Sequence, residues 1–366
     1  ETDTEAGAYH GRDGAVPVSR EDISALTPLQ RAFFDICIAK GYPQTKDHNA
    51  PESAGVGVVP KVVRDGMRMS SALTHLLAAR QRTNLHLRPN TLVDRLHWNG
   101  ASCAGVEAIV DGARSLYQGR RIILCAGALN TPCILLRSGV GNPVHLKRLD
   151  VPVRLSLSGV GMNLQDHPIV GFWAAPETSA STLGESTHQV LLRYTSQRSP
   201  SRNDMHISMV SGLDATQIAL LRQALGSPLA AAVATCVAKP LSTGYLRMTS
   251  ANPTDMPSVV TNCLAEHDDM RRMKEGVRIA WDMVQSPGIR QNLRQIFAWN
   301  SAMFTSDSIL EKAISTFVRP AWHVTGTARM GRAADPAAVV DSRGGLIGAD
   351  NVWIADASIM PTIPSA

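Results

Sequence analysis

A chain of 366 residues with 44% hydrophobic side chains can bury roughly three quarters of its unfolded surface, in one or two domains. Its net charge of +5 and pI near 9.0 come from scattered basic residues such as Lys147-Arg148 and Arg271-Arg272, with no basic stripe interleaved with aromatics, which argues against nucleic-acid binding. Pro228–Val237 is the run nearest to a membrane span and is too short to cross a bilayer, so no membrane partner is expected.

In chain order, Glu1–Glu5 reads as mid-chain sequence with no signal peptide visible, which predicts a longer parent protein and a cytoplasmic compartment. Residues 8–17 are turn-rich, with His10 read as structural. Thr27-Pro28 predicts a helix start with Thr27 as cap. Phe33, Phe34, Ile36, Cys37 and Ile38 give that helix its apolar face, and Gly41 ends it. A second helix is expected over Ser70–Arg80 with capping serines, then an interrupted pair of short strands over Leu85–Leu96. Asn99-Gly100 is a hairpin signal, followed by a strand over Gly105–Val110 and a turn at Asp111-Gly112.

The run Arg121–Leu129 leads into a helix over Asn130–Gly139. A buried strand, a small-residue turn and a helix start in succession form an element that faces nucleotides. Cys125 within this strand reads as a buried small apolar residue. None of the six cysteines forms Cys-x-x-Cys, so neither a disulfide framework nor a zinc site is expected, and no metal ligand is assigned. Val190–Tyr194, Asp204–Val210 and Gly244–Met248 alternate as strands and predict an antiparallel sheet walling a substrate pocket. Asp268–Val284 is an amphipathic helix opened by two acids, and Ser306–Thr316 is a further helix.

The C-terminal run carries the densest signal. His323 precedes a small-residue turn containing Gly326 and Gly331, which permit tight backbone conformations. Val352–Ala355 is a short apolar strand ending in Asp356, where ligands meet α/β sheets, and Ala357 and Ser358 are small enough for backbone amides to approach an anion.

His323-Val324-Thr325-Gly326-Thr327-Ala328-Arg329-Met330-Gly331, then Val339-Val340-Asp341, then Asp356-Ala357-Ser358-Ile359-Met360-Pro361, closely resembles the C-terminal signature of the glucose-methanol-choline (GMC) flavin oxidoreductases. Gly127-Ala128-Leu129-Asn130-Thr131-Pro132 with Ser138-Gly139-Val140-Gly141 resembles the second signature of that family. Tyr9-His10-Gly11, Gly159–Pro168 and Lys239–Gly244 resemble further family segments. The resemblance implies an α/β fold with an α+β substrate part. Residues 69–150 and 321–366 would form portions of the FAD-binding domain, without its N-terminal βαβ unit, and 1–68 and 151–320 the substrate domain.

It also implies FAD as cofactor, with His323 as catalytic base and Val93, Ala126, Gly127, Asp356 and Ala357 along the cofactor. Trp322 would lie on the substrate side. The reaction would oxidise a small-molecule alcohol, with primary aryl or furan alcohols as the expected class and oxygen or another electron acceptor as second substrate. In overall texture the chain is closest to the hydroxymethylfurfural oxidase and aryl-alcohol oxidase branch. Asp166-His167 is read as a link between domains rather than an acid–base pair, since adjacent residues rarely converge on one reacting atom.

The family's Gly-x-Gly-x-x-Gly phosphate loop is not found here, and its second polar catalytic residue would fall just beyond Ala366. The expectation is the middle and later parts of a longer enzyme. The alternatives are a hydroxynitrile lyase using the same histidine, and a non-catalytic fragment that does not hold FAD. A metal hydrolase is more distant, because the histidines lack a spacing such as His-Glu-x-x-His.

Overall fold

The structure is a computed structural model that describes residues 1–366 apart from Ala6, Glu52, Ala101 and Ala366. Helix α1 (Pro28–Ala39) buries Leu29, Phe33, Phe34 and Cys37. Pro28 sits in its first turn, where no amide hydrogen is needed. The expected cap is corrected: Thr27 has the extended backbone of a cap, but its hydroxyl is buried without a partner. Its amide is instead bound by Gln189 Oε1 at 2.9 Å. Strand β1 (Gly55–Val58) follows.

The helix expected over 70–80 forms only as a π-helical stretch, Ala72–Leu76, running into Leu77–Ala79, and no serine side chain caps it. Leu73 and Leu77 are exposed, so no apolar face anchors a regular helix there. The expected pair of strands over 85–96 reduces to one, β2 (Thr91–Asn99). It pairs antiparallel with β3 (Ser102–Val110), which pairs with β4 (Ala113–Gln118). Asp111 and Gly112 turn between them at φ +49° and +80°, the mirror-image turn that suits strand twist.

Strand β5 (Ile122–Leu124) enters helix α2 (Gly127–Arg137), which starts at Gly127 rather than Asn130. The next strands are β6 (Pro168–Pro176), β7 (Val190–Tyr194), β8 (Met205–Asp214) and β9 (Leu229–Val237). Helix α3 (His267–Gln285), β10 (Leu293–Ile296), helix α4 (Asp307–Phe317), β11 (Arg319–Pro320) and β12 (Val352–Ile354) complete the frame. Ser306 caps α4 by accepting from the Ile309 amide.

Seven strands form one antiparallel sheet in the order β10-β6-β9-β8-β7-β1, with β11 also paired to β6. The run nearest in hydropathy to a membrane span is thus the interior strand β9, and among the described residues no helix is long and apolar enough to cross a membrane. Period-two alternation gives the sheet two faces. One carries Val170, Phe172, Leu192, Ile207, Met209 and Val233 and packs on Phe33 of α1, Met273, Val277 and Met283 of α3, and Leu310 and Ile314 of α4. The other carries Arg193 of β7 and His206 of β8, which are paired across the strands.

A second core gathers Leu96, Ile122, Leu124, Leu135, Val140, Val160, Leu164, Leu246, Val340, Val352 and Ile354. Here β12 lies parallel to β5, with Val352 opposite Ile122 and Ile354 opposite Leu124. Only one face of this pair is covered. Ile122 and Leu124 point into the core, whereas Ile123 and Cys125 face outward. Cys125 is therefore exposed, correcting its expected burial, and all six cysteines are free.

Candidate active site

The carboxyl ends of β5 and β12 make a ledge of small residues. Asp356 fastens it. One carboxylate oxygen accepts the Ser358 amide at 2.8 Å and caps a short 3₁₀ turn, Ala357–Ile359. The other accepts the Gly127 amide at 3.0 Å and the Thr131 hydroxyl at 2.6 Å. The Asp356 carboxylate thus joins the start of α2 to the turn after β12. Gly127 stands at φ +82° with open space where a side chain would begin. Cys125, Ala126 and Ala355 are exposed beside it. Val93 and Ala126 line one open groove of ≈ 520 Å³ together with Val106, Ile123 and Cys125. The structure therefore brings Val93 and Ala126 to one groove and places Gly127, Asp356 and Ala357 in the joined turns next to Ala126.

The loop carrying His323 is stitched to this ledge. The Gly326 amide donates to Ala357 O at 3.1 Å and the Ala328 amide to Ser358 O at 2.8 Å. Pro132 inside α2 has no amide hydrogen to offer the carbonyl of Ala128 four residues back. The hydroxyl of Thr327 takes its place, donating to Ala128 O at 2.6 Å. Gly326 adopts φ +87°, and a side chain there would begin 2.4 Å from Asn163 O.

Residues 163–167 organise the other side. Asp166 Oδ1 accepts the amides of His167 at 2.7 Å and His323 at 3.0 Å, and Oδ2 accepts that of Trp322 at 3.1 Å. This clasp holds Trp322 at φ +65°, a conformation that costs a bulky residue on the order of 1–3 kcal/mol. The Trp322 side chain is 86% exposed. Asp166 has the linking role read from the sequence, but His167 does more than link. Its Nδ1 lies 3.1 Å from His323 Nδ1, edge-on at an interplanar angle of 83°, and its Nε2 lies 3.1 Å from Pro364 O. Desolvation, reinforced by a charge on His323, pushes the His167 pKa down from its ordinary value. Gln165 Oε1 accepts the Ile363 amide at 2.9 Å, and Asn163 Nδ2 donates to Pro361 O at 3.3 Å, so the same segment positions the C-terminal tail.

The tail crosses the polar face of the sheet, where Arg193 Nη2 reaches Ser365 Oγ at 3.5 Å and Nη1 donates to His48 O. A cavity of ≈ 550 Å³ lies against it, lined by Gln165, Lys239, Leu241, Arg272 and Thr362–Ser365 among others. Among the described residues, His48, His206 and Arg193 each keep a buried ring or guanidinium nitrogen without a hydrogen-bond partner. No carboxylate pairs with Arg193 among the described residues. Sequence reasoning singled out none of Asn163, Gln165, Arg193 or His206. Strand alternation would have placed Arg193 and His206 on one face, but the tail's course over them is a long-range property.

Residues 3–169 match the N-terminal profile and residues 240–366 the C-terminal profile of the GMC oxidoreductases. The chain is 32% identical over 372 residues to 5-(hydroxymethyl)furfural oxidase of Methylovorus sp. (strain MP688), covering 98% of this chain and 68% of that protein. It is 32% identical over 385 residues to the mitochondrial choline dehydrogenase of Mus musculus, covering 98% and 63%. Pyridoxine 4-oxidase from Mesorbium loti superposes with a TM-score of 0.87 at 25% identity, over 98% of this chain and 69% of that one. The chain belongs to the GMC oxidoreductase family, and it spans about two thirds of the length of these relatives. Members of this family are FAD-dependent. The residues present fit such a group: the ledge is open at the exposed Ala126 and at Gly127, and the buried hydroxyls of Thr325 and Ser358 have no partner among the described residues.

Proposed function

We propose that this chain supplies the substrate side and part of the cofactor side of an FAD-dependent alcohol oxidoreductase, with His323 as the base that draws the proton from the substrate hydroxyl. The observation that carries the reading is the double fastening of the His323 loop, to the ledge through Ala357 and Ala128 and to the polar sheet face through Asp166 and His167. Residues 69–150 and 321–366 form the FAD-binding portions and 1–68 with 151–320 the substrate domain, with Val160, Leu164 and Leu246 packing across into the second core, beside Ile122, Leu124 and Val352.

An alcohol becomes a good hydride donor once its hydroxyl proton leaves or is shared. FAD, when bound, supplies the acceptor for that hydride. The chain's own task is to hold and deprotonate the alcohol. His323 takes the proton, Asp166 fixes its backbone, and the residues expected along the cofactor, Val93, Ala126, Gly127, Asp356 and Ala357, give a flat surface against which the carbinol carbon is set. The exposed Trp322 closes the substrate side. Oxygen or another acceptor completes the cycle.

The relatives named above are oxidases and a dehydrogenase, which disfavours lyase chemistry at the same histidine. Two of them are named for substrates with a hydroxymethyl group on a ring, and a primary alcohol of that kind is the proposed substrate class. Arg193 and His206, which pair with no carboxylate among the described residues, disfavour a quaternary ammonium such as choline and suit a neutral or anionic alcohol.

The test is anaerobic stopped-flow mixing of the flavin-loaded protein with primary alcohols, following loss of the visible flavin band. Reduction is expected with ring-bearing primary alcohols, slower by roughly 10²- to 10⁴-fold in His323→Asn. Bound flavin that stays oxidised with every alcohol refutes the reading, and a protein without a visible flavin band under any loading condition supports the non-catalytic alternative.

A further inference from the structure

The contact between His167 and His323 has a direction. A carbonyl oxygen only accepts, so the proton between His167 Nε2 and Pro364 O, 3.1 Å apart, belongs to His167. At 8% exposure the His167 ring is desolvated and its pKa is pushed down, which keeps it neutral. Its Nδ1 therefore bears a lone pair. Two lone pairs cannot face each other at the 3.1 Å that separates the two Nδ1 atoms, so the proton there must be carried by His323.

We propose that His167 is a positioning residue that fixes His323 as its Nδ1–H tautomer, leaving Nε2 as the basic nitrogen offered to the substrate hydroxyl. The role of that nitrogen as a base rests on the functional reading above; the tautomer does not. Both rings are kept from drifting because one carboxylate, that of Asp166, holds the amides of both residues, and the Ala321 amide donates to His167 O at 3.0 Å.

The other charged and titratable groups nearby leave the direction unchanged. Asp166 spends its oxygens on three amides, Arg193 reaches the tail at Ser365, and His206, whose pKa a charge on His167 would lower further, favours a neutral His167. When His323 gains a proton on Nε2, its Nδ1–H becomes a charged donor to His167, so the contact strengthens as the proton is taken up.

The test is a long-range ¹H–¹⁵N correlation spectrum of the flavin-loaded, ¹⁵N-histidine-labelled protein with its imidazoles neutral, with signals assigned by their loss in His323→Asn. A pyrrole-type Nδ1 and a pyridine-type Nε2 on His323 are expected, and the reversed pattern overturns the proposal. Two variants test the cause. His167→Asn keeps an acceptor at the position of Nδ1, and His167→Leu fills the volume without one. The asparagine variant should retain the tautomer and most of the flavin-reduction rate. The leucine variant should show mixed tautomers and a reduction rate at least about tenfold lower, with little change in KM, because a mis-set imidazole loses its basic nitrogen to the wrong side. Equal behaviour of the two variants also overturns it. If the leucine protein does not fold, the parent spectrum and the asparagine variant still decide. Alcohols that fail to reduce the flavin while the spectrum shows the expected tautomer refute the functional reading alone. Rapid reduction with the reversed tautomer refutes this inference alone.

Discussion

The place of the His323 imidazole is governed by one buried carboxylate, that of Asp166, which takes three backbone amides from two segments 156 residues apart. Hydrogen bonds to a charged acceptor contribute about 1.5–3 kcal/mol each, and donors left unpaired in a buried place cost more than the bond itself. Asp166→Ala should therefore lower stability by about 2–4 kcal/mol and release Trp322 from its left-handed conformation. Flavin reduction should slow while substrate affinity changes less, because the base is displaced and the sheet face is not. Urea melts and single-turnover kinetics on the same preparation check both; an unchanged reduction rate would separate the clasp from catalysis. Some of this was legible in the sequence. His323, Asp356 and the Asp166-His167 pair sit in local motifs whose residue types announce themselves. The partner of His167 was not, since nothing local links positions 167 and 323. Thr27 and Cys125 were misread for a related reason: the first faces Gln189 and the second an uncovered sheet face, and neither neighbour is near in sequence.

At the scale of elements, period and punctuation predicted well wherever a packed face existed. Helices α3 and α4 fall within one or two residues of the expected spans, the Asn99-Gly100 and Asp111-Gly112 turns join the strands they should, and the 70–80 segment departs because it buries almost nothing. What the pattern cannot convey is how closely α3 approaches the sheet. Gly276 marks the point of contact: a Cβ there would stand 2.4 Å from Thr235 Oγ1 and 2.7 Å from Met205 Cε. In an exposed helix, Gly→Ala would stabilise by about 1 kcal/mol. Here the added methyl pushes α3 off β8 and β9, and overpacking of this kind costs about 1–3 kcal/mol. Gly276→Ala is thus expected to be neutral to destabilising and Gly276→Val clearly destabilising, as judged by urea midpoints. A gain of stability in Gly276→Ala would show that the helix and sheet have room to spare.

The whole molecule stands on two cores, the second built on the long-range pairing of β5 with β12, with the His167–His323 seam between them. That seam and the polar sheet face concentrate histidines in low-dielectric surroundings. Desolvation pushes down the pKa values of His48, His167 and His206, and for His206 the charge of Arg193 adds to it, taking the value to about 3. In the unfolded chain the same rings titrate near 6.5. A base whose folded pKa lies below its unfolded one contributes stability that is complete above the unfolded value. It is lost as the pH falls, because the unfolded chain takes up protons the fold refuses. Each such ring weakens the fold by up to about 1.4 kcal/mol per pH unit below 6.5. His10 works in the opposite sense. Its pKa is raised, chiefly by its hydrogen bond to Asp47, so its contribution is present at low pH and fades as the pH rises through the folded value. Burial also pushes down the pKa values of His145 and His188, so one ring stands against five and the net sign is unchanged. The carboxylates act lower. Burial works against the charge of Asp94, but hydrogen bonding and charge from Arg114, Arg95 and Arg137 outweigh it, and the lowered pKa means its contribution fades only below 3.8. The urea midpoint should therefore begin to fall between pH 6.5 and 5, above the range in which Asp94 loses its charge, and His206→Leu should flatten that part of the curve; Glu275, its pKa raised by burial, works in the opposite sense. A midpoint that stays level to pH 5 and drops only near 4 would mean that the seam accepts protons while folded, and that the neutral state required of His167 is not enforced by the fold.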